Sequence, residues 1–205
     1  MSAHQSVILF GGDLSGRLSE LFAAFGYKMT GASECVPGGD LVWQRTNYPQ
    51  RGKPREIVYK AVLCNGAWTA VLDREMVMIV NGKSCEEFAA RAGITVFGYI
   101  AEGASGTYAI YKYAPKKVRE LFVQEGKVLT DFGGSLPEEE GFANESLFED
   151  GIYRIMERVG FPDSLFADSA SKVSIVELDE ASFAKAPKAN APKPKLSRPW
   201  WKFWK

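Results

Sequence analysis

The stretch IVYKAVLC-NG-AWTAVL, residues 57–72, decides the fold. Ile57–Cys64 and Ala67–Leu72 are rich in β-branched, aromatic and other apolar residues, and Asn65-Gly66 lies between them. Asn and Gly most readily adopt the two positive φ angles of a type I′ turn. The sequence therefore predicts a β-hairpin with a type I′ turn at Asn65-Gly66.

Further strand-like runs surround this hairpin. Consecutive strands joined by short connections are typical of an antiparallel meander. Before the hairpin, Ser6–Phe10 predicts one more strand, and the apolar run Val173–Leu178 closes the domain. The runs of the meander are Ile94–Ile100, Thr107–Tyr113, Val118–Gln124 and Lys127–Phe132.

Three segments have the apolar spacing of amphipathic helices. The first covers about 15–26. The second covers 84–92 and opens with a capping box in which Ser84 is the N-cap and Glu87 is at N3. The third covers 146–160 and opens with the same pattern from Ser146 to Glu149. Its predicted inward residues are Phe148, Ile152, Ile155, Met156 and Val159.

These elements predict a single α+β domain over residues 1–183. An antiparallel sheet from 57–132 carries about three helices, and 30–56 is a long loop with at most one strand. Residues 184–205 are a Pro/Lys-rich linker and a basic-aromatic tail. This composition favours an extended chain that does not pack.

The charge is divided between the body and the tail. Residues 1–183 hold 18 Lys/Arg and 25 Asp/Glu, a net charge of −7, whereas 184–205 hold seven basic residues and no acidic one. An acidic body with a basic tail favours binding to charged partners.

The composition also limits which disulfides, metal sites and cofactor sites the chain can form. Three scattered cysteines and the single His4 do not form a disulfide framework or the usual ligand set of a zinc site, so we expect no cofactor and no metal. No segment resembles a signal peptide or a spanning helix, so the cytosol is the expected compartment.

The turn Gly11–Arg17 has the spacing of a phosphate-binding loop but not its chemistry. Arg17 and Leu18 stand where that loop has Lys and Ser/Thr, and Asp13 adds a negative charge. A tight turn with Asp13 or Ser15 as a helix cap is the simpler interpretation.

Other candidate sites have simpler structural explanations. The cysteines lack an adjacent base and are expected in the core. Four tyrosines, Tyr99, Tyr108, Tyr111 and Tyr113, could stack on a ligand, but half-buried sheet packing is more common. Alternation places Tyr111 and Tyr113 on one face of the sheet and Tyr108 on the other.

Two sets of residues are predicted to bind a partner. Three adjacent glutamates, Glu138, Glu139 and Glu140, are interpreted as a solvated acidic loop that could attract a basic protein. In the tail, the aromatic residues lie among cations, and their exposure to water would favour aggregation without a partner. These aromatic residues are Trp200, Trp201, Phe203 and Trp204.

The tail has more than one candidate partner. A groove on a protein, or on the acidic body itself, is slightly favoured. An anionic membrane surface is the second candidate and would place the protein at the inner membrane face. Nucleic acid is disfavoured by the acidic body.

The order of elements resembles small bacterial immunity proteins of polymorphic toxin systems, including the broad SUKH-like group. The resemblance covers about residues 57–165 and rests on the Trp68 hairpin, the Asp131–Glu139 segment and Leu147–Ile152. It implies a non-enzymatic protein that blocks a toxin through a charged face, and it transfers no individual residue.

Two functions from different classes follow. The favoured one is a non-enzymatic protein-binding module, either an immunity or an adaptor protein. The alternative is a small-ligand or nucleotide-binding protein or enzyme that uses the Gly11–Arg17 turn. A flat acidic face would support the first, and a deep pocket with convergent polar groups would support the second.

Overall fold

The computed structural model describes residues 4–31, 33–46, 57–142, 148–161 and 163–180, which form one α+β domain. Ten strands and four helices lie within these ranges, together with three short 3₁₀ turns at Ser15–Arg17, Pro137–Glu139 and Asp163–Phe166. The helices are α1 (Leu18–Ala24), α2 (Asp40–Thr46), α3 (Gly82–Ala92) and α4 (Glu149–Val159). The strands are β1 (His4–Gly11), β2 (Lys28–Met29), β3 (Glu34–Pro37), β4 (Ile57–Cys64), β5 (Trp68–Leu72), β6 (Val96–Glu102), β7 (Thr107–Tyr113), β8 (Lys117–Gln124), β9 (Lys127–Phe132) and β10 (Lys172–Asp179).

All ten strands join one antiparallel sheet, in the order β2-β10-β4-β5-β1-β6-β7-β8-β9, with β3 also paired to β10. The prediction of an antiparallel meander is confirmed for β6 to β9. The sheet is wider than the predicted span of 57–132, because β1 lies at its centre and β10 continues it beyond β4.

The sheet buries both of its faces. Alternating residues of the central strand separate: Val7 and Leu9 pack towards α2 and α4, and Ile8 and Phe10 pack towards α1 and α3. We call these the α2/α4 face and the α1/α3 face. Burial on both faces explains the nearly continuous apolar runs in the central strands.

The hairpin at the centre of the prediction forms between β4 and β5, but its turn type was predicted wrongly. Of Asn65 and Gly66, only Gly66 has a positive φ, +85°. The Asn65 side chain instead accepts a hydrogen bond from the Trp68 amide at 2.8 Å. Positive φ at two consecutive residues, as in a type I′ turn, occurs at Glu125-Gly126, between β8 and β9.

The helices differ from the prediction at their starts. The N-cap of α3 is Asn81 rather than Ser84, and its side chain accepts a hydrogen bond from the Ser84 amide. Ser146 lies outside the described residues, and α4 begins at Glu149. Phe148, predicted to point inward, is 50% exposed. The predicted loop 30–56 contains β3 and α2, and its remaining residues from 47 lie outside the described ranges.

The segment 73–80, between β5 and α3, inserts Ile79 against β6. A Cβ on Gly98 would lie 1.8 Å from Cδ1 of Ile79, so β6 needs a glycine here to receive this side chain. Ile79 and Met78 are both fully buried. The 73–80 segment is therefore part of the core of the α1/α3 face, although it has no regular secondary structure.

Gly98→Ala should lower the free energy of unfolding by about 1–3 kcal/mol, because the added methyl overpacks the contact with Ile79. Adding Ile79→Val, which removes the Cδ1 atom, should recover part of that loss in urea unfolding. Gly134→Ala is the control, since a Cβ there meets nothing within 4 Å. Equal effects of the two alanine variants would contradict this packing argument.

Candidate functional site

The predicted acidic loop is only partly exposed, and the prediction that it is a solvated face is wrong for Glu139. This side chain is buried, and its carboxylate accepts two hydrogen bonds from Arg119, at 2.8 and 2.9 Å. It also accepts one from the Leu136 amide. Glu139 therefore joins β8 to the 3₁₀ turn that follows β9, and its carboxylate does not face solvent.

The two neighbours of Glu139 differ in how far their side chains are exposed to solvent. Glu138 is half-buried, with Lys112 Nζ 3.4 Å from its carboxylate. Glu140 is exposed, and its backbone carbonyl, like that of Glu138, accepts a hydrogen bond from Arg158. Of the three glutamates, Glu140 alone presents an exposed carboxylate.

The other sequence candidates show structural roles or lie outside the described ranges. At Gly11–Arg17, Asp13 accepts a hydrogen bond from the Ser15 amide and Arg17 is paired with Glu20, so the geometry fits a tight turn. The prediction that Asp13 or Ser15 caps the helix is wrong, because Leu14 is the N-cap of the 3₁₀ turn and Arg17 that of α1, and neither makes a side-chain cap hydrogen bond. The four tyrosines are buried, and Tyr108, Tyr111 and Tyr113 lie on the faces that alternation predicts. The tail residues Trp200, Trp201, Phe203 and Trp204 lie outside the described residues.

A groove of about 610 Å³ lies on the α1/α3 face, and sequence reasoning missed it. Strands β6, β7 and β8 form its floor, the 73–80 segment forms one wall, and β9 forms the other. We call it the acidic groove. Its apolar lining is Met76, Val80, Ile100, Tyr111, Phe122 and Leu129, and its polar lining is Glu102, Ser105, Thr107, Glu120, Gln124, Glu125 and Thr130.

The groove is apolar on its floor and negatively charged at its edge. Three of its thirteen lining residues are glutamates and none is Lys, Arg or His. Glu120 is paired with Lys117 at 2.6 Å, the carboxylate of Glu102 accepts a hydrogen bond from the Ala104 amide, and Glu125 is exposed. An apolar surface with carboxylates at its edge favours a ligand that is both apolar and cationic.

Tyr111 supplies a hydrogen-bond donor on the floor. Burial, together with the negative charge of Glu120, raises the pKa of the Tyr111 phenol. The hydroxyl therefore keeps its proton throughout the neutral range.

β9 leaves apolar side chains exposed at the edge of the sheet, and one of them, Leu129, lines the groove. Val128, Leu129 and Phe132 are 36%, 57% and 51% exposed, and Val80 on the opposite wall is 46% exposed. β9 is also the last strand at this edge of the sheet within the described residues. Apolar side chains at a sheet edge are a common feature of surfaces that bind another chain.

Backbone strain is concentrated in the same place. Met76 and Glu125, with φ of +58° and +50°, are the only residues other than glycine with positive φ among those that the structure describes. Both line the acidic groove, one from each side. Strained residues tend to cluster at functional sites, so this coincidence makes the groove the candidate site of the described structure.

The strained wall at Met76 is held by buried charges. Lys60 Nζ donates to Asp73 Oδ1 at 2.5 Å, and both side chains are fully buried. Asp73 Oδ2 accepts hydrogen bonds from the amides of Met78 and Ile79 at 2.7 and 3.2 Å. Glu75 forms a second ion pair with Lys60.

This charge arrangement keeps Lys60 protonated. Burial alone would lower the pKa of Lys60, but the attraction of Asp73 and Glu75 outweighs burial and raises it. A raised pKa stabilises the fold at every pH below the unfolded value of about 10.4, and this contribution is lost only as the pH rises through the folded value. Lys60 should therefore keep its positive charge throughout the neutral range.

Comparisons with protein-family models, with curated proteins and with solved structures found no match to this chain. The resemblance to immunity proteins therefore stays a prediction. No cluster of three or more His, Cys, Asp or Glu side chains in the described part of the chain is placed to hold a metal ion. In the same part, no helix has the length and apolar character needed to cross a membrane.

Lys60→Met should lower the free energy of unfolding by about 3–5 kcal/mol, because it leaves the buried carboxylate of Asp73 without its counter-charge. The double variant Lys60→Met/Asp73→Asn should lose less than the sum of the two single variants. Urea unfolding measures both. A loss below about 1 kcal/mol for Lys60→Met would show that the wall does not depend on the ion pair.

Glu125→Asn should raise the free energy of unfolding by about 0.5–1 kcal/mol, because asparagine tolerates positive φ better than glutamate. Glu140→Asn is the control, since Glu140 is exposed and has an ordinary φ of −54°. Its stability should stay within about 0.5 kcal/mol of the wild type. A loss of stability in Glu125→Asn would remove the argument that Glu125 is retained at a conformational cost.

Proposed function

We propose that this protein is a non-enzymatic protein-binding module, of the immunity or adaptor type, that holds an apolar and positively charged segment of a partner protein in the acidic groove. The observation that carries the proposal is the lining of the groove: six apolar side chains and three carboxylates, with no cation among its thirteen residues. The binding surface differs from the Glu138–Glu140 loop, where only Glu140 is exposed.

The shape of the site suits a chain rather than a compact protein surface. The floor is formed by three adjacent strands, and β9 offers both exposed apolar side chains and a free sheet edge in the described structure. A partner segment can place apolar side chains in the groove and cations beside Glu120 and Glu125. Backbone hydrogen bonds to β9 would add affinity that does not depend on the partner sequence.

A small apolar cation, such as an aromatic amine, is the second candidate. The volume of about 610 Å³ supports it, because small-molecule sites commonly measure about 300–1,000 Å³. This candidate is the small-ligand alternative of the sequence analysis, with the acidic groove as the binding site in place of the Gly11–Arg17 turn.

Photo-crosslinking in the host cell tests the protein partner. A benzophenone side chain at Leu129, inside the groove, should form a covalent adduct with one protein, to be identified by mass spectrometry. The matched control carries the same group at Phe148, which is also apolar and half-exposed but lies at α4, on the opposite face. Equal adducts at both positions, or none at Leu129, would contradict the proposal.

The purified partner then tests the charges. Glu120→Gln/Glu125→Gln should weaken its affinity about 2- to 30-fold at low salt, because two partly exposed charge pairs contribute about 0.2–1 kcal/mol each. The loss should shrink as the ionic strength rises. Glu138→Gln/Glu140→Gln is the control and should leave the affinity unchanged. If only the Glu138→Gln/Glu140→Gln variant lost affinity, the binding surface would be the Glu138–Glu140 loop and not the groove. If an aromatic amine binds the groove and no protein adduct forms, the second candidate stands instead.

A further inference from the structure

The segment 198–205, RPWWKFWK, has the chemistry that the acidic groove selects. It combines four aromatic residues with three cations and contains no acidic residue. The groove combines an apolar floor with three carboxylates. Aromatic side chains on the floor and Lys or Arg beside Glu120 and Glu125 would satisfy both surfaces at once.

The register of the sheet places the end of β10 at the same end as the groove. Asp179 pairs with Ile57 at the start of β4, and the pairs Leu72–Val7, His4–Glu102 and Thr107–Gln124 follow this end across the sheet. Glu102, Thr107 and Gln124 all line the groove. The chain therefore leaves the described fold on the side of the sheet where the groove is rimmed by carboxylates.

The chain also leaves on the correct face. Leu178, the penultimate residue of β10, packs on the α1/α3 face. Val176 of β10 pairs with Lys60 of β4, so the end of β10 lies on the face that carries the Lys60–Asp73 ion pair at the base of the 73–80 segment. Met76 and Val80 of this segment form a wall of the groove.

The linker is long enough to make the connection. From β10 to β8 there are six strand spacings, or about 29 Å at about 4.8 Å each. Residues 181–197 span up to about 53 Å if they are extended like polyproline II, at about 3.1 Å per residue. The segment 198–205 can therefore reach the groove without strain on its linker.

We propose that residues 198–205 occupy the acidic groove of their own chain and compete there with the partner. The proposal shares the groove with the proposed function, but it requires no partner to be tested. A tether of this length gives an effective concentration on the order of 1 mM, so a contact with a Kd of about 0.1 mM would be closed in about 90% of the molecules. A partner then binds with an apparent affinity reduced by the fraction of open groove.

Methyl NMR of the full chain tests the proposal. The triple variant Trp200→Ala/Trp201→Ala/Trp204→Ala should shift the methyl resonances of Ile100, Leu129 and Val80, because aromatic rings no longer lie over them. The methyls of Ile155 and Val173, on the α2/α4 face, are the internal controls. Glu120→Gln/Glu125→Gln and high salt should move the groove resonances of the wild-type chain in the same direction. Identical groove spectra for the wild type and the triple variant would overturn the proposal.

Two further measurements test whether the tail binds a second copy of the protein or a membrane instead. If the groove resonances change between about 20 μM and 500 μM protein, the tail binds a second copy, and the intramolecular proposal is overturned. If the triple variant loses pelleting with vesicles of anionic lipid while its groove resonances match those of the wild type, the tail serves the membrane and the proposal is also overturned.

The proposal about the tail and the proposal about the partner can be contradicted independently of each other. Groove shifts without any adduct at Leu129 would uphold the tail contact and leave the proposed function unsupported. An adduct at Leu129 without groove shifts would do the reverse. If both hold, the triple variant should increase the yield of the Leu129 adduct several-fold.

Discussion

The ion pair between Lys60 and Asp73 is the constraint on which the α1/α3 side of the molecule depends. Lys60 lies on β4, in the middle of the sheet, and Asp73 begins the segment that crosses from β5 to α3. One carboxylate oxygen neutralises the lysine while the other accepts hydrogen bonds from the amides of Met78 and Ile79. A segment without regular secondary structure must satisfy its backbone groups in this way if it is to be buried. The same pair therefore stabilises the core at Ile79 and fixes the wall of the groove at Met76.

A second buried charge organises the other wall. The Arg119 guanidinium, on β8, is bound by Glu139, by Asp131 and by the backbone carbonyls of Phe132 and Gly133. These contacts attach β9 and the turn after it to β8, although the side chains of β9 are mostly exposed. Pairing on one side only would leave a strand of this kind weakly held. The two ion-pair networks lie on opposite faces of the sheet, and each attaches a segment that contributes to the groove.

The sequence predicted the parts of the fold that local patterns determine. The hairpin, the meander and the positions of three helices follow from alternation, turn residues and helical spacing over fewer than twenty residues each. The central position of β1 depends on pairs that lie 57 to 98 residues apart along the chain, and the pairing of β10 with β4 on pairs that lie 112 to 122 residues apart. A single sequence gives no local signal for contacts at such separations. The groove was missed for the same reason. Its three glutamates, Glu102, Glu120 and Glu125, are separated in the sequence and look like ordinary surface charges, whereas the adjacent Glu138–Glu140 drew attention although Glu139 is a buried ligand of Arg119.

One residue beside the groove, Glu125, does carry a local signal, because its type is unfavourable for the backbone conformation that it adopts. Glu125-Gly126 adopts the two positive φ angles for which asparagine or aspartate followed by glycine is usual, and glutamate is a poor first residue in such a turn. Asn65-Gly66 has the favoured residues but does not adopt that conformation. The favourable turn residues thus stand at Asn65-Gly66, away from the groove. At Glu125-Gly126, which borders the groove, the chain has a negative charge at a conformational cost. Such a conflict between local preference and observed conformation is common at functional sites, which is why it supports the proposed role of the groove.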